Sequence, residues 1–186
     1  INAEEHTTLN FIINCAKRAE ELRLKNSNIV FVIGNELTID MKGLISGDDY
    51  IKRSQNIPFR APNTDKKLNE FLKIAVNEVR KYCRCDLTYA SANWEEVDWK
   101  TFDFVGINHY RNFKNRWTYR NTIRKLKSAN KPIAITEFGS VTNSWSKHLG
   151  GAGTNIINWG AKPSPEIKFP ISNNENAQSD EIIDCL

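Results

Sequence analysis

Four short apolar runs alternate with helical patterns along this chain of 186 residues, and the alternation limits the fold to a few possibilities. The runs predict β-strands over 29–34, 86–91, 103–108 and 132–136. Apolar residues at helical spacing predict helices over 3–25, 64–84, 115–130 and 176–186. Strands that alternate with helices indicate a parallel sheet with right-handed crossovers. The first run, IVFVI, has no polar position, which is typical of a strand buried on both faces.

Two architectures suit this order, part of a (β/α)8 barrel or an open doubly wound sheet. No strand is followed by the G-x-G-x-x-G turn of the dinucleotide-binding sheet. Residues 43–63 and 140–174 are rich in Gly, Ser, Asn and Pro and are predicted to be long loops. Long polar loops after strands fit the C-terminal face of a barrel, where active sites lie. We therefore expect an α/β fold, a single TIM-barrel-like domain over 1–186 that is incomplete.

The composition excludes several classes of protein. The chain is 40% apolar and 26% charged, as ordinary globular domains are. Its net charge of +4 is small, and lysines and arginines are spread over helix-like stretches, which argues against binding to nucleic acid. No apolar run approaches the roughly 18 residues of a membrane span, and the first residues lack a signal-peptide pattern.

The cysteines indicate neither a metal site nor a disulfide framework. They lie at positions 15, 83, 85 and 185, and no second Cys or His pair follows at zinc spacing. We therefore expect free thiols in a reducing compartment. The chain also lacks an N-x-[ST] acceptor, and both observations favour a cytoplasmic protein.

Two of the strands end on a carboxylate. The first run continues into GNELT, which places Asn35 and Glu36 at its end, and the fourth run, in PIAITEFG, ends on Glu137. The two glutamates are 137 − 36 = 101 residues apart, or three units of roughly thirty residues in a barrel. Two carboxylates at the mouth of one barrel are the pair that glycoside hydrolysis uses. Each glutamate could instead cap the next element or pair with a lysine.

These motifs resemble the retaining (β/α)8 glycoside hydrolases grouped as clan A. The resemblance rests on the Asn-Glu of GNELT, the Tyr of GINHYR and the Glu of ITEFG. It implies that the four strands are strands four to seven of the barrel. It also implies that Glu36 is the acid/base, Asn35 contacts the sugar 2-hydroxyl, Glu137 is the nucleophile and Tyr110 hydrogen-bonds Glu137. The motifs are also similar to the bacterial and archaeal glycosidase-like proteins labelled abortive infection proteins.

Further substrate contacts are expected from polar and aromatic residues after the strands. The candidates are His109, Asn93, Trp94, Trp145 and Trp159. Aromatic rings stack on the apolar faces of sugars, but each Trp could equally cover the core. His109 either lines the pocket or bonds a neighbour. Neither a cofactor nor a metal is required for this chemistry.

The first functional hypothesis is therefore a glycosidase of carbohydrate metabolism that hydrolyses a glycoside or oligosaccharide with retention. The alternative is a non-catalytic carbohydrate-binding or interaction module derived from such a barrel. A lyase or aldolase would need a lysine at a strand end, and none is present. Strands one to three and eight have no counterpart, the chain begins at Ile1, and it ends within a helical pattern. We therefore expect a fragment that pairs with another chain or with a missing barrel half.

Overall fold

Four strands form where the apolar runs predict them. They are β1 Val30–Asn35, β2 Asp86–Ala90, β3 Val105–Asn108 and β4 Ile133–Glu137. Each begins and ends within two residues of its predicted bounds, because β-branched and aromatic residues favour extended backbone. The computed structural model of the protein describes residues 2–25, 28–168 and 171–186.

The described residues form seven α-helices. They are α1 Ala3–Arg23, α2 Leu37–Asp40, α3 Tyr50–Gln55, α4 Thr64–Val79, α5 Tyr119–Leu126, α6 Ser146–Leu149 and α7 Glu175–Cys185. The four predicted helices correspond to α1, α4, α5 and α7. Asn2 and Glu5 begin α1 with a capping box, in which each side chain accepts the backbone N–H of the other at 2.9 Å. None of the described helices is long and apolar enough to cross a membrane.

The two predicted loops contain regular elements that the sequence did not indicate. Helix α3 and a 3₁₀ turn at Ile57–Phe59 lie within 43–63. Helix α6, a 3₁₀ segment at Gly150–Ile156 and a short antiparallel ribbon lie within 140–174. The ribbon pairs β5 Ile157–Asn158 with β6 Glu166–Ile167. These elements are too short to show a hydrophobic period, so the loop predictions were wrong in detail.

The main strands are parallel and are joined in sequence order. β1 pairs with β2 from Val30 opposite Asp86 onwards, with an irregularity between Val32 and Asn35. A single bridge between Ser91 and Ile107 joins the end of β2 to β3. β3 and β4 form a second pair. The described strands therefore form two short parallel pairs that a bridge connects, and they do not close into a barrel.

The chain forms two compact units. Unit 1 comprises Ile1–Ile107 and Lys127–Ala134, and unit 2 comprises Asn108–Leu126 and Ile135–Leu186. In unit 1, α1 and α4 pack against each other and against β1. Leu68, Leu72 and Val79 from α4 are fully buried, because residues three and four apart share one helix face.

β1 does not have the burial that its sequence predicts. Val30 and Val32 are 44% and 41% exposed, whereas Ile33 is buried. In the described residues β1 pairs with β2 alone, so one of its edges and part of one face lack a covering element. The prediction of a strand buried on both faces is therefore wrong for this chain as it stands.

Unit 2 is held together by polar contacts around α7. The guanidinium of Arg111 donates to Glu181 at 2.8 Å and lies 3.1 Å from Asp184, which fixes α7 to the segment after β3. The side-chain amide of Gln178 donates to the carbonyl of Ser140 at 2.6 Å. These contacts fix α7 in place, although its sequence has low hydrophobicity and no strong hydrophobic period.

Candidate functional site

Glu36 occupies a strained position where β1 ends and α2 begins. Its backbone has φ 45° and ψ 43°, the left-handed region that costs a non-glycine residue roughly 1–2 kcal/mol. Its N–H donates to the carbonyl of Ala90 at 3.0 Å, and its own carbonyl accepts the N–H of Ile39 at 3.0 Å. The side chain makes no capping hydrogen bond to α2. The helix-cap alternative is therefore not realised, and strain of this kind is typical of functional positions.

A buried carboxylate fixes the segment that follows Glu36. Glu95 is only 9% exposed and accepts four donors in unit 1. These are Thr38 N–H at 3.1 Å, Thr38 Oγ1 at 2.6 Å, Ala92 N–H at 3.0 Å and the Tyr89 hydroxyl at 2.9 Å. Because these donors come from α2, from β2 and from the turn after β2, the Glu95 carboxylate links these three segments to one another.

The electrostatics of this network follow from its burial. Burial raises the pKa of Glu95, and the donors from Thr38, Ala92 and Tyr89 partly offset that rise. Burial and the nearby Glu95 carboxylate raise the pKa of Tyr89 well above its usual value, so its hydroxyl keeps its proton. The sequence did not identify Glu95, because an acidic residue in WEEVD reads as part of an exposed turn.

Trp94 takes part in the same network, whereas Asn93 does not. The indole N–H of Trp94 donates to Thr38 Oγ1 at 3.1 Å, and the ring is half-buried. This contact brings Trp94 to the segment that begins at Glu36. Asn93 is exposed. Asn35, the last residue of β1, lies opposite Ala90 in the sheet.

In unit 2, Glu137 and Tyr110 are in direct contact. Glu137 ends β4, and its Oε2 accepts the Tyr110 hydroxyl at 3.0 Å. The carbonyl of Glu137 accepts the N–H of His109 at 2.8 Å, which fixes the backbone before Tyr110. The side-chain amide of Asn115 donates to the carbonyl of Tyr110 at 2.8 Å. This is the contact that the resemblance implies for the two residues.

The side chain of His109 is engaged with Tyr119 within unit 2. It is buried, and its ring stacks on that of Tyr119 with centroids 4.1 Å apart. His109 Nε2 lies 3.0 Å from the carbonyl of Tyr119, and the Tyr119 hydroxyl donates to the carbonyl of His109 at 3.0 Å. The ring therefore bonds a neighbour, which was one of its two expected roles.

Trp145 and Trp159 are exposed aromatic residues in the long segment after β4. They are 66% and 56% exposed, so both rings can contact a ligand. Trp145 lies near His148, and Trp159 follows β5. In the part of the chain that the structure describes, no hydrogen bond links either indole to Glu137.

The cysteines differ from expectation at one place. Cys83 and Cys85 form a disulfide, whereas Cys15 and Cys185 are free thiols. The sulfur atoms of Cys83 and Cys85 and a carboxylate oxygen of Glu20 lie within 4.8 Å of one another, which is a spacing that metal ligands can have. The sulfur atoms are bonded to each other, and Glu20 accepts hydrogen bonds from Arg23 and from the N–H of Arg84. The three residues are therefore already engaged with other groups.

Several solved protein structures are similar to this chain. No protein-family model and no curated protein sequence matches the chain. A solved GH113 β-1,4-mannanase aligns with a TM-score of 0.63 and 18% identity over 97% of this chain and 46% of its own. The GH113 β-mannanase of Alicyclobacillus acidocaldarius aligns with a TM-score of 0.63 and 15% identity over 97% of this chain and 45% of its own. The β-glucuronidase of Ruminococcus gnavus aligns with a TM-score of 0.51 and 16% identity over 95% of this chain and 26% of its own.

These structures confirm the resemblance to clan A glycoside hydrolases at the level of the fold. The GH113 β-mannanases are TIM-barrel enzymes of that clan, and the likeness covers nearly the whole of this chain. At identities of 15–18% the likeness shows the fold alone. The chain spans under half the length of the mannanases, which is consistent with a partial barrel.

Proposed function

We propose that this chain supplies the two catalytic carboxylates of a retaining glycoside hydrolase. Glu137 is the nucleophile, and Glu36 is the acid/base. The observation that carries the proposal is the hydrogen bond of 3.0 Å from the Tyr110 hydroxyl to Glu137 Oε2. A donor on one oxygen orients the carboxylate and leaves its other oxygen for attack. The strained backbone of Glu36, at the end of a parallel strand, supports its role.

The reaction follows from these roles in two steps. Glu137 attacks the anomeric carbon while the protonated Glu36 donates its proton to the departing glycosidic oxygen, so the C–O bond breaks and a glycosyl ester forms. Glu36, now a carboxylate, takes a proton from water, and the resulting hydroxide attacks the same carbon. The ester bond to Glu137 breaks, the sugar leaves with its original configuration, and both carboxyl groups return to their starting states.

The substrate class follows from the relatives and from the exposed aromatic rings. The relatives are described as β-1,4-mannanases, so β-1,4-linked manno-oligosaccharides are the first substrates to test. We assign Asn35 to the sugar 2-hydroxyl. Trp145 and Trp159 offer exposed rings to further sugar units, and Trp94 and Asn93 follow the neighbouring strand β2.

The proposal includes completion of the barrel by residues outside this chain. The chain covers under half of each mannanase, and Val30 and Val32 on β1 remain exposed. An exposed β-branched apolar face on a strand with one unpaired edge is normally covered by another element. The missing strands come from a longer gene product or from a second chain. Without them, the alternative is a carbohydrate-binding module that does not turn its ligand over.

Hydrolysis assays on glutamate variants test the proposal. We would compare the wild-type sequence with Glu137→Gln, Glu36→Gln and the exposed Glu96→Gln on an aryl β-mannoside and on manno-oligosaccharides. Both the 186-residue chain and any longer gene product that contains it should be assayed. Loss of at least about 10³-fold in kcat for both catalytic variants, with Glu96→Gln unchanged, is expected. A Glu137→Gln variant that keeps the wild-type rate would overturn the proposal.

Product stereochemistry and geometry provide a second test. With azide as an external nucleophile, Glu36→Ala should yield the β-azide and Glu137→Ala the α-azide, because azide replaces water in one case and the nucleophile in the other. In the assembled protein the two carboxyl groups should lie about 5–5.5 Å apart. A separation above about 9.5 Å would exclude their joint action. Calorimetric binding of manno-oligosaccharides without turnover would favour the binding module.

A further inference from the structure

The stretch from β3 into β4 has a strongly one-sided charge. Residues 104–136 contain no Asp or Glu, although they hold eight basic residues. These are Arg111, Lys114, Arg116, Arg120, Arg124, Lys125, Lys127 and Lys131. Along the sequence they are spread out, but the fold gathers four of the arginines at one pocket of unit 2. This arginine pocket has a volume of about 290 Å³, and its walls include Arg111, Arg116, Trp117, Arg120, Arg124 and Asp184.

Three of the four arginines carry uncompensated charge. Arg111 is neutralised by Glu181 and Asp184 on α7. Burial lowers its pKa and the ion pair with Glu181 raises it, and the net effect is a raised pKa. The other three, Arg116, Arg120 and Arg124, are exposed, and no carboxylate of the described residues pairs with them. The pocket therefore has an excess of positive charge that an anionic ligand would balance.

An aromatic platform lies beside these charges. Trp117 is 81% exposed, and the Arg116 guanidinium lies 4.8 Å from the centre of its ring. This contact places a cation beside the ring at the edge of the pocket. Arg120 and Arg124 are four residues apart on α5 and so lie on one helix face, where Arg124 also donates to Asn121 at 2.9 Å.

We propose that the arginine pocket binds a carboxylate-bearing sugar unit, such as a uronate of an acidic oligosaccharide. Planar guanidinium groups of Arg120 and Arg124 bind a carboxylate through paired N–H donors. The ring of Trp117 stacks on the apolar face of the sugar. Asp184, which is largely exposed at its side chain, accepts hydrogen bonds from sugar hydroxyls.

The composition of the walls favours an acidic sugar over a nucleic acid. A nucleic-acid strand needs a track of cations and successive stacking rings, whereas this pocket offers one exposed stacking ring, that of Trp117. The Asp184 carboxylate can accept hydrogen bonds from hydroxyl groups, which a sugar unit carries and a phosphodiester linkage lacks. Within unit 2, the pocket shares no residue with the contact between Tyr110 and Glu137. The Tyr110 hydroxyl contacts Glu137, whereas the side chain of the next residue, Arg111, contacts α7.

Titration of the 186-residue chain tests the inference without any need for turnover. The probes are a tetragalacturonate, a mannotetraose of the same length and a single-stranded oligothymidylate, titrated by calorimetry at physiological salt. We expect the tetragalacturonate to bind, and the Arg120→Gln/Arg124→Gln double variant and Trp117→Ala each to weaken binding at least tenfold. The matched control is Lys66→Gln/Lys73→Gln, which removes two exposed charges from α4 and should leave binding unchanged.

Several outcomes would overturn the proposal. One is the absence of tetragalacturonate binding. Another is a loss of tetragalacturonate affinity in the lysine control equal to that in the arginine double variant, which would indicate non-specific attraction by net charge. Tighter binding of the oligothymidylate, lost in the arginine double variant, would assign the pocket to nucleic acid. Because none of these measurements involves Glu36 or Glu137, failure here leaves the proposed hydrolysis untouched.

Discussion

The hydroxyl of Tyr89 lies 2.9 and 3.0 Å from the two carboxylate oxygens of Glu95. The same hydroxyl accepts the N–H of Leu37 at 2.7 Å, so its donor and acceptor functions are both used. Leu37 directly follows Glu36. The position of Glu36 therefore depends on the buried Tyr89 and Glu95, which have no role in the proposed reaction.

Replacement of Tyr89 by phenylalanine should destabilise unit 1. The substitution leaves the Leu37 N–H buried without its acceptor and removes one donor from Glu95, so we expect a loss of about 1–3 kcal/mol in the free energy of unfolding. Urea denaturation followed by tryptophan fluorescence measures it. The control is Tyr82→Phe at a 42% exposed side chain, which should change stability by less than about 0.5 kcal/mol. Equal effects of the two substitutions would contradict the role assigned to Tyr89.

Glu95→Gln should be costly and Glu96→Gln should not, although the two residues are adjacent. At position 95 the amide group of glutamine would face donors from Thr38 and Tyr89, and we expect a loss of about 1–3 kcal/mol. Glu96 is exposed, so its replacement should change stability by less than about 0.5 kcal/mol. Thermal unfolding of both variants checks the contrast. A Glu95→Gln variant as stable as Glu96→Gln would show that the network does not depend on the charge.

The sequence predicted the strands and the long helices because these carry their own signal. Val30 to Ile33 are β-branched or aromatic, and α4 repeats apolar residues every three or four positions. The short helices carry no such signal. Helix α3 is fixed by tertiary contacts instead: the buried Arg53 guanidinium donates to the carbonyls of Asp40 at 3.2 Å and Gly47 at 3.1 Å.

The candidate site was predictable to the same degree. The strand ends indicated Glu36 and Glu137 as candidates, because polar residues after an apolar run are visible in the sequence. Glu95 was missed because the burial of a single carboxylate in a turn depends on donors that are 3 to 57 residues away. The inward turn of His109 also depends on a stacking partner, Tyr119, whose position only the fold decides.

Tyr110→Phe should lower glycosidase activity if Glu137 is the nucleophile. The substitution removes a hydrogen bond of 3.0 Å to a charged oxygen, an interaction of about 1.5–3 kcal/mol, so kcat/KM should fall about 10- to 100-fold. Initial rates on an aryl glycoside measure it in the assembled protein. Tyr82→Phe again serves as the control and should keep full activity. An unchanged rate in Tyr110→Phe would show that the contact does not assist the reaction.

Gly106→Ala should disrupt the junction of β2 and β3. A Cβ atom at this position would lie 2.3 Å from the carbonyl oxygen of Tyr89 and 2.5 Å from Thr88 Oγ1. A strand backbone cannot yield as a flexible side chain can, so we expect a loss of about 3 kcal/mol or more, or failure to fold. Gly160→Ala is the matched control, because its nearest atom would be 3.7 Å away. Expression and thermal unfolding of both variants decide the matter, and a stable Gly106→Ala would refute the close approach.

Glu20 should make the stability of the chain depend on pH in the acid range. Its carboxylate accepts the Arg23 guanidinium at 2.7 and 2.8 Å and the Arg84 N–H at 2.9 Å, and these contacts lower its pKa from 4.5 to about 2. A folded-state pKa below the unfolded one means that the contribution is fully present above about 4.5 and is lost as the pH falls to about 2. Urea denaturation across this range should therefore show wild type and Glu20→Gln converging as the pH falls. A constant difference in stability between wild type and Glu20→Gln across this pH range would contradict the linkage.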